Sequence, residues 1–368
     1  MTRIPITGIG VIAPGATGVE AFRVLLNSGA SAIADVDRFD TAGLSAHKAA
    51  LVTDFKPRDY IPVMKMRRMN ALSRLGVSAA KLAIDDCGAT PGMNTGVAIG
   101  TSFGPVQTSV DYMAEYVAKG AALAPPQLFA ESVANAPGSH IAIEWNLRGF
   151  NVTITQRESS ALAAAMYAAT QLVKGTVDAA LIGGVEEANE MLFSVLDRIG
   201  ALAHANGAGD ERARPFDPNR NGFILGEGGA MLVAGAGSRK PYGWLAGFGI
   251  ARDTTAPVSD WGTDANSVVT AMRAALDDAG VSEVDAIFAS ANGSLRGDAV
   301  EQRAIDMAFA GVPVVTTKQI FGEYAAGGLL QLVAALLAVD EGRYRNVLVN
   351  SLSAGGGIVC AVVTREGA

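Results

Sequence analysis

The feature that most constrains this chain is that it repeats itself. One order of elements occurs twice, with matching lengths. The first pass reads helix "SAAKLAIDDCG", strand "NTGVAIGTS", strand "FNVTIT", a polar elbow, helix "SSALAAAMYAATQLVKG", strand "DAALIGGVEEA" and strand "GGAMLVAGA". The second reads helix "VVTAMRAALDDAG", strand "VDAIFASANGS", strand "VPVVTTK", an elbow, helix "YAAGGLLQLVAALLAV", strand "RNVLVNSLSAGG" and strand "GIVCAVVTR". Such self-similarity predicts one α/β unit duplicated. The strands are continuous apolar runs and the helices after each elbow are apolar on nearly every face, so both are expected to be covered on two sides. Helices buried between sheets imply a layered sandwich. The change-over falls near "AGAGSRKPYGWLAGFGI" and divides the chain into residues 1–236 and 237–368, an intradomain connection more than a flexible linker. The first half is longer by an insertion around 100–148, where "SVDYMAEYVAKG" and "NAPGSHIAIEWNLRG" read as helices. Ser109, Tyr112, Met113 and Tyr116 share one face of the first of these, at i, i+3, i+4 and i+7.

Composition narrows the function. At 368 residues and 49% hydrophobic content the chain can bury a sizeable core. A formal net charge of −7, with no block dense in Lys or Arg, argues against a general nucleic-acid binder. The N-terminal "MTRIPITGIGVIAPG" enters a strand-and-turn pattern directly, and no uninterrupted run of roughly 18 apolar residues follows, so a cytoplasmic protein is expected. Cys87 and Cys360 lie far apart among apolar or small residues, and His47, His140 and His204 are scattered. No disulfide framework, metal site or cofactor is expected from them.

The elbow in "FNVTITQRESSALAAAMYAATQLVKG" raises the chemical question. A strand that turns sharply into a helix N-terminus is where many enzymes hold a nucleophile, because free N–H groups and the helix dipole stabilise negative charge there. Here the elbow carries Gln156, Arg157 and Glu158.

Four further stretches, "TGIGVIAPGATGVEAFRVLLNSGASAI", "RRMNALSRLGVSAAKLAIDDCG", "RPFDPNRNGFILGEGGAMLV" and "NSLSAGGG", occur in order along the chain. Together with the repeat they resemble the β-ketoacyl synthases of the thiolase fold, over essentially the whole length. The resemblance implies an α/β fold of two duplicated halves in a five-layer α-β-α-β-α sandwich. It also implies condensation of acyl chains by an elbow Cys and two His residues. Here all three are replaced. Gly149 and Asn151 set a register that puts Glu158 at the nucleophile; Asn292 in "SANGSLRGDAVE" takes the first His, with Asp298 and Glu301 keeping the acidic pair; "TKQIFGEYAAGG" keeps Lys318 and Gly322 but has Glu323 at the second His. A carboxylate cannot replace a thiolate in acyl transfer without forming a mixed anhydride, and neither Asn292 nor Glu323 can serve as a neutral imidazole donor.

Within the family, subunits with this loss are the chain length factors of type II polyketide synthases. The resemblance therefore implies a heterodimer with a Cys-bearing ketosynthase, an acyl carrier protein as a further partner, and a tunnel shaped by Ser109, Tyr112, Met113 and Tyr116. Ala354 stands where ketosynthases place a gating Phe. Chain length factors commonly carry Gln at the elbow, a pattern from which Glu158 departs, while in size and in the "QRESS" elbow the chain resembles those of aryl-polyene and other highly reducing systems more than the aromatic polyketide ones. Two readings of the buried acids remain open. Glu158, Lys318 and Glu323 form an ion-paired filling of a dead pocket, or Glu158 and Glu323 perform acid/base work, such as decarboxylation, in a stand-alone enzyme on carrier-protein thioesters.

Overall fold

The computed structural model describes residues 2–205 and 209–367. Ten strands form the backbone of one large mixed sheet: β1 (Ile4–Ala13), β2 (Thr95–Gly100), β3 (Asn151–Ile154), β4 (Ala179–Glu186), β5 (Gly228–Ala234), β6 (Gly243–Arg252), β7 (Ala286–Phe288), β8 (Val314–Val315), β9 (Asn346–Leu352) and β10 (Gly357–Thr364). Their order is β8-β7-β9-β10-β6-β1-β5-β4-β2-β3, with the short strand Ala16–Thr17 paired to β1 as the eleventh.

The duplication is visible in the pairing. In the first half β3, β2 and β4 run parallel, and β5 and then β1 join antiparallel. In the second half β8, β7 and β9 run parallel, and β10 and then β6 join antiparallel. Within the large sheet the two halves join where Ile4, Pro5 and Ile6 of β1 pair with Leu245, Trp244 and Gly243 of β6. β3 and β8 are left at the two outer edges.

Eight helices give the layers: α1 (Ala71–Cys87), α2 (Val106–Lys119), α3 (Ala136–Glu144), α4 (Ser160–Val173), α5 (Glu190–Arg198), α6 (Ala265–Ala279), α7 (Leu295–Ala308) and α8 (Leu329–Asp340). α4 and α8 lie in the middle. α4 touches β2, β3 and β4 of one half and β10 of the other; α8 touches β6, β7, β9 and β10 and also β1 and β5. Almost every side chain of α8 is buried, and its one interior polar group, Gln331, donates to the carbonyls of Phe288 and Asn350 at 2.7 and 2.9 Å. The outer layers are α1 with α3 on the first half and α6 with α7 on the second. Three apolar clusters, one central and two outer, therefore build the five-layer sandwich expected from the sequence.

Paired glycines set the outer helices close to the sheet. A Cβ at Gly10 would meet the Ala79 carbonyl of α1 at 2.0 Å, and one at Gly249 would meet the Ala271 carbonyl of α6 at 2.0 Å. Gly8 and Gly247 repeat the contact two residues earlier. A G-x-G in β1 and again in β6 is thus the same packing device used twice.

Candidate functional site

The elbow between β3 and α4 is built from a strained turn and three serines. Arg157 takes a left-handed conformation, φ 49°, which reverses the chain within a short 3₁₀ turn, Arg157–Ser159. Ser160 Oγ accepts from the Gln156 N–H at 2.8 Å and lies 2.6 Å from the Arg157 carbonyl. Ser159 donates to the carbonyl of Ser351, and Ser351 donates to that of Glu158. The turn is fastened to β9 and cannot relax away from the core.

That turn aims Glu158 inward, where it is 2% exposed. One carboxylate oxygen accepts from the Tyr324 hydroxyl at 2.7 Å and the other from the Ala354 N–H at 3.1 Å. Burial, and then the charge of Glu323, push the Glu158 carboxyl up to about 7, although Tyr324 and Lys318 oppose the rise.

Asn292 and Glu323, which the sequence reading sets against the two His positions, close around it. Asn292 donates its side-chain amide to Glu323 at 2.7 Å, and its Oδ1 accepts from the Ser294 N–H at 2.8 Å. Glu323 also accepts from the Tyr324 N–H at 2.8 Å and is ion-paired to Lys318, whose ammonium donates to the Ser290 carbonyl at 2.7 Å. Glu158, Asn292, Lys318, Glu323 and Ala354 thus converge in one buried network. Lys318 pairs with Glu323, while Glu158 depends on neutral donors.

Tyr324 is the residue that the sequence did not single out. It sits at φ 66°, with its ring against Phe103 at 4.9 Å and Phe223 at 5.5 Å between centroids. Its N–H holds one carboxylate and its hydroxyl the other, so it fills the space between them. The signal was present as a bulky residue inside the small-residue run "EYAAGG".

Around the network the retained acids are also buried. Asp298 accepts from the N–H groups of Phe216, Asn292 and Gly293, yet burial raises its carboxyl above the usual range. Glu301 holds the Ser290 N–H and the Asn350 amide, and burial raises it to about 7. Glu186, on β4, accepts from Thr101 and from the Ser102 and Phe103 N–H groups and is raised to about 8, again by burial.

Access is closed. The void beside Asn292, bounded by Trp261, Ser294, Asp298 and Glu301, admits no water-sized sphere. Outside it lies a cleft of about 410 Å³ lined by Ile199, Asn221, Trp261, Ser294 and Arg296. Trp261 and Ser294 border both.

The α2 residues lie elsewhere. Ser109 is half-buried and donates to the carbonyl of Pro105 at 3.1 Å. The Tyr112 ring packs on Tyr116 and Phe129, while Met113 and Tyr116 are 51% and 42% exposed. This face belongs to the surface of the chain, not to its core. Among the described residues no group of three or more His, Cys, Asp or Glu is placed to hold a metal ion, and no helix is long and apolar enough to cross a membrane.

Comparison with known proteins decides the family. Residues 1–236 match the family described as Beta-ketoacyl synthase, N-terminal domain, and residues 242–349 match Beta-ketoacyl synthase, C-terminal domain. The chain belongs to the β-ketoacyl synthase family. It is 28% identical over 359 residues to 3-oxoacyl-[acyl-carrier-protein] synthase 2 of Vibrio harveyi, covering 92% of this chain and 86% of that one. It is 30% identical over 355 residues to the actinorhodin polyketide putative beta-ketoacyl synthase 2 of Streptomyces coelicolor, with the same coverage. Among solved structures, the ishigamide ketosynthase/chain length factor superposes with a TM-score of 0.89 at 26% identity over the whole of both chains. In this member of the β-ketoacyl synthase family, the positions that the sequence assigned to the catalytic Cys and His residues hold Glu158, Asn292 and Glu323 in a sealed, hydrogen-bonded cluster.

Proposed function

We propose that this chain is a non-condensing, chain-length-factor subunit of a type II polyketide synthase, paired with a Cys-bearing ketosynthase and served by an acyl carrier protein. In that reading residues 1–236 and 237–368 are the two ketosynthase-like halves of a single subunit. The observation that carries it is the network of Glu158, Tyr324, Glu323, Lys318 and Asn292, which occupies the catalytic positions with buried groups that satisfy one another. A pocket so filled has no room for an acyl thioester and no thiolate to receive one.

Two surface features favour a partner. β3 lies at the sheet edge and is only partly covered, and an open strand edge is normally paired or protected. Beside the insertion, Met113, Tyr116, Val117 and Phe129 expose large apolar side chains. The stand-alone reading has one observation in its favour, the Glu158 carboxyl near 7, which suits acid/base work at neutral pH. The enclosure of Glu158 weighs against it, since a general acid must reach its substrate. The aryl-polyene or highly reducing subtype, and a cytoplasmic location, belong to this proposal as the sequence suggests them.

The isolated chain is expected to form no ketoacyl product from acyl- and malonyl-loaded carrier protein, and Glu158→Cys is expected to change nothing, because the two imidazoles remain absent. Product should appear when a Cys-bearing ketosynthase is added. Mass spectrometry of carrier-bound species reads this directly, and condensation by the chain alone would sink the proposal.

If α2 closes the partner's tunnel, then Tyr112→Gly or Tyr116→Gly should lengthen the products by roughly two to four methylene groups, the space an aromatic ring vacates. Ser109→Phe should shorten them. Turnover per condensation, carried by the partner's Cys, should stay similar. The same length distribution from all three variants, with the heterodimer intact by size-exclusion chromatography, would remove this helix as the ruler.

A further inference from the structure

A cleft of about 420 Å³ opens between the first turn of α1, the stretch 38–57 and the segment that joins β4 to α5. It is a seam between two apolar clusters. Val52, Phe55 and Leu75 belong to the cluster that packs under α1, and Phe39 to the one around Phe193, whose ring lies 5.4 Å from its own. None of Glu158, Asn292, Lys318 and Glu323 lines it.

The charged groups of the cleft are unevenly matched. Arg38 and Glu227 cancel one another: the guanidinium donates to both carboxylate oxygens, at 2.8 and 2.7 Å, and Glu227 also accepts from the Val52 and Ala188 N–H groups. Glu187 is 4% exposed and accepts from the Gln107 N–H at 2.8 Å, with the Asn189 amide beside it. Burial, and then the charges of Glu227 and Asp111, push its carboxyl up to about 7, so part of it is neutral at that pH. Glu190, in the first turn of α5, is exposed. Arg74 is different. It is half-buried and forms no hydrogen bond or ion pair among the described residues, and its Nε is buried without an acceptor. A guanidinium so placed has lost hydration and gained no partner, a deficit that a bound anion would offset. Its Nη groups keep N–H donors for both oxygens of a carboxylate. One free cation suits one negative charge, and the acids nearby disfavour a dianion. The volume lies at the low end of the range for small-molecule sites, about 300–1,000 Å³, which favours a chain of about eight carbons over a long one.

We propose that this cleft binds a medium-chain monocarboxylate as the free acid anion, its carboxylate on Arg74 and its carbon chain along Phe39, Val52, Phe55 and Leu75. The site is separate from the buried acids and needs no reaction there.

Titration calorimetry on the full chain tests it with four probes. Octanoate should bind saturably. Acetate keeps the charge without the chain, octanol keeps the chain without the charge, and octylamine reverses the charge; each should bind at least roughly tenfold more weakly. Arg74→Gln should weaken octanoate roughly tenfold or more, and Arg74→Lys, which keeps the charge but not the planar fork, should fall between that variant and the unmodified chain. Arg74 holds no other group in place, so neither substitution breaks a bond of the fold, and circular dichroism checks that both variants are folded. No saturable binding of octanoate at about 5 mM, octanol or octylamine binding as well as octanoate, or unchanged affinity in Arg74→Gln would overturn the assignment.

Discussion

Glu158→Gln is expected to stabilise the protein by up to about 3 kcal/mol at pH 8 to 9 and to leave stability at pH 5 nearly unchanged. The buried carboxyl ionises near 7 in the folded chain, against an ordinary value of 4.5. Between those values the folded state holds a proton that the unfolded state has released. The stability that this proton contributes is complete below about 4.5 and is lost as pH rises through 7, at ~1.4 kcal/mol per pH unit of separation. Glutamine removes the ionisation and can keep both bonds. Its carbonyl oxygen can accept from the Ala354 N–H, and its amide can donate to the Tyr324 hydroxyl, which turns to accept. Denaturant melts at several pH values check the prediction. A loss of stability at pH 8 equal to that at pH 5 would mean that the carboxylate is stabilised where it stands.

The sign of that effect bears on function. An acid kept for catalysis is commonly held at a cost in stability, so a stabilising Glu158→Gln alone would not separate an active acid from an inert filler. Product formation by the assembled complex separates them. Output from Glu158→Gln within a few fold of the unmodified complex fits a filled pocket, and complete loss with the complex intact fits acid/base work.

Much of this was legible in the chain, for identifiable reasons. The duplication was readable because two long helices without a polar face and runs such as "AALIGGVE" have few stable placements other than between layers. The convergence of Glu158, Asn292, Lys318 and Glu323 was readable through motif order, since a fold that fixes the elbow also fixes what faces it. Which acid pairs with Lys318 was not readable. That choice is made at the turn where Tyr324 and Ala326 take φ values of 66° and 51°, a conformation that the sequence does not announce. Tyr324 and Trp261 were missed for a related reason. Both act by volume, one between two carboxylates and the other between a cleft and a void, and volume has no periodicity in a sequence. The cleft beside Arg74 was equally hidden, because Phe39, Phe55, Arg74 and Glu187 are spread along the chain and only the fold brings them together.

Lys318→Met should be the most damaging single change in the network, costing about 3–5 kcal/mol at pH 8, the range for leaving a buried charge without its partner. Lys318 is 4% exposed and is the ion-pair partner of Glu323, itself 1% exposed. Methionine has similar length, so packing is largely kept and the loss is electrostatic. Glu323 would retain the Asn292 amide and the Tyr324 N–H but would lose its paired cation while the Glu158 carboxyl stays nearby, and the Ser290 carbonyl would lose its donor. The cost should shrink toward pH 5, where Glu158 is protonated and no longer repels Glu323. The double variant Lys318→Met with Glu323→Gln removes both charges and should recover most of the loss, giving a coupling of about 2 kcal/mol or more by denaturant melts. Additive effects of the two substitutions would show that the pair is not what holds the closed pocket together, and the filling would then rest on the Tyr324 ring and its two aromatic neighbours.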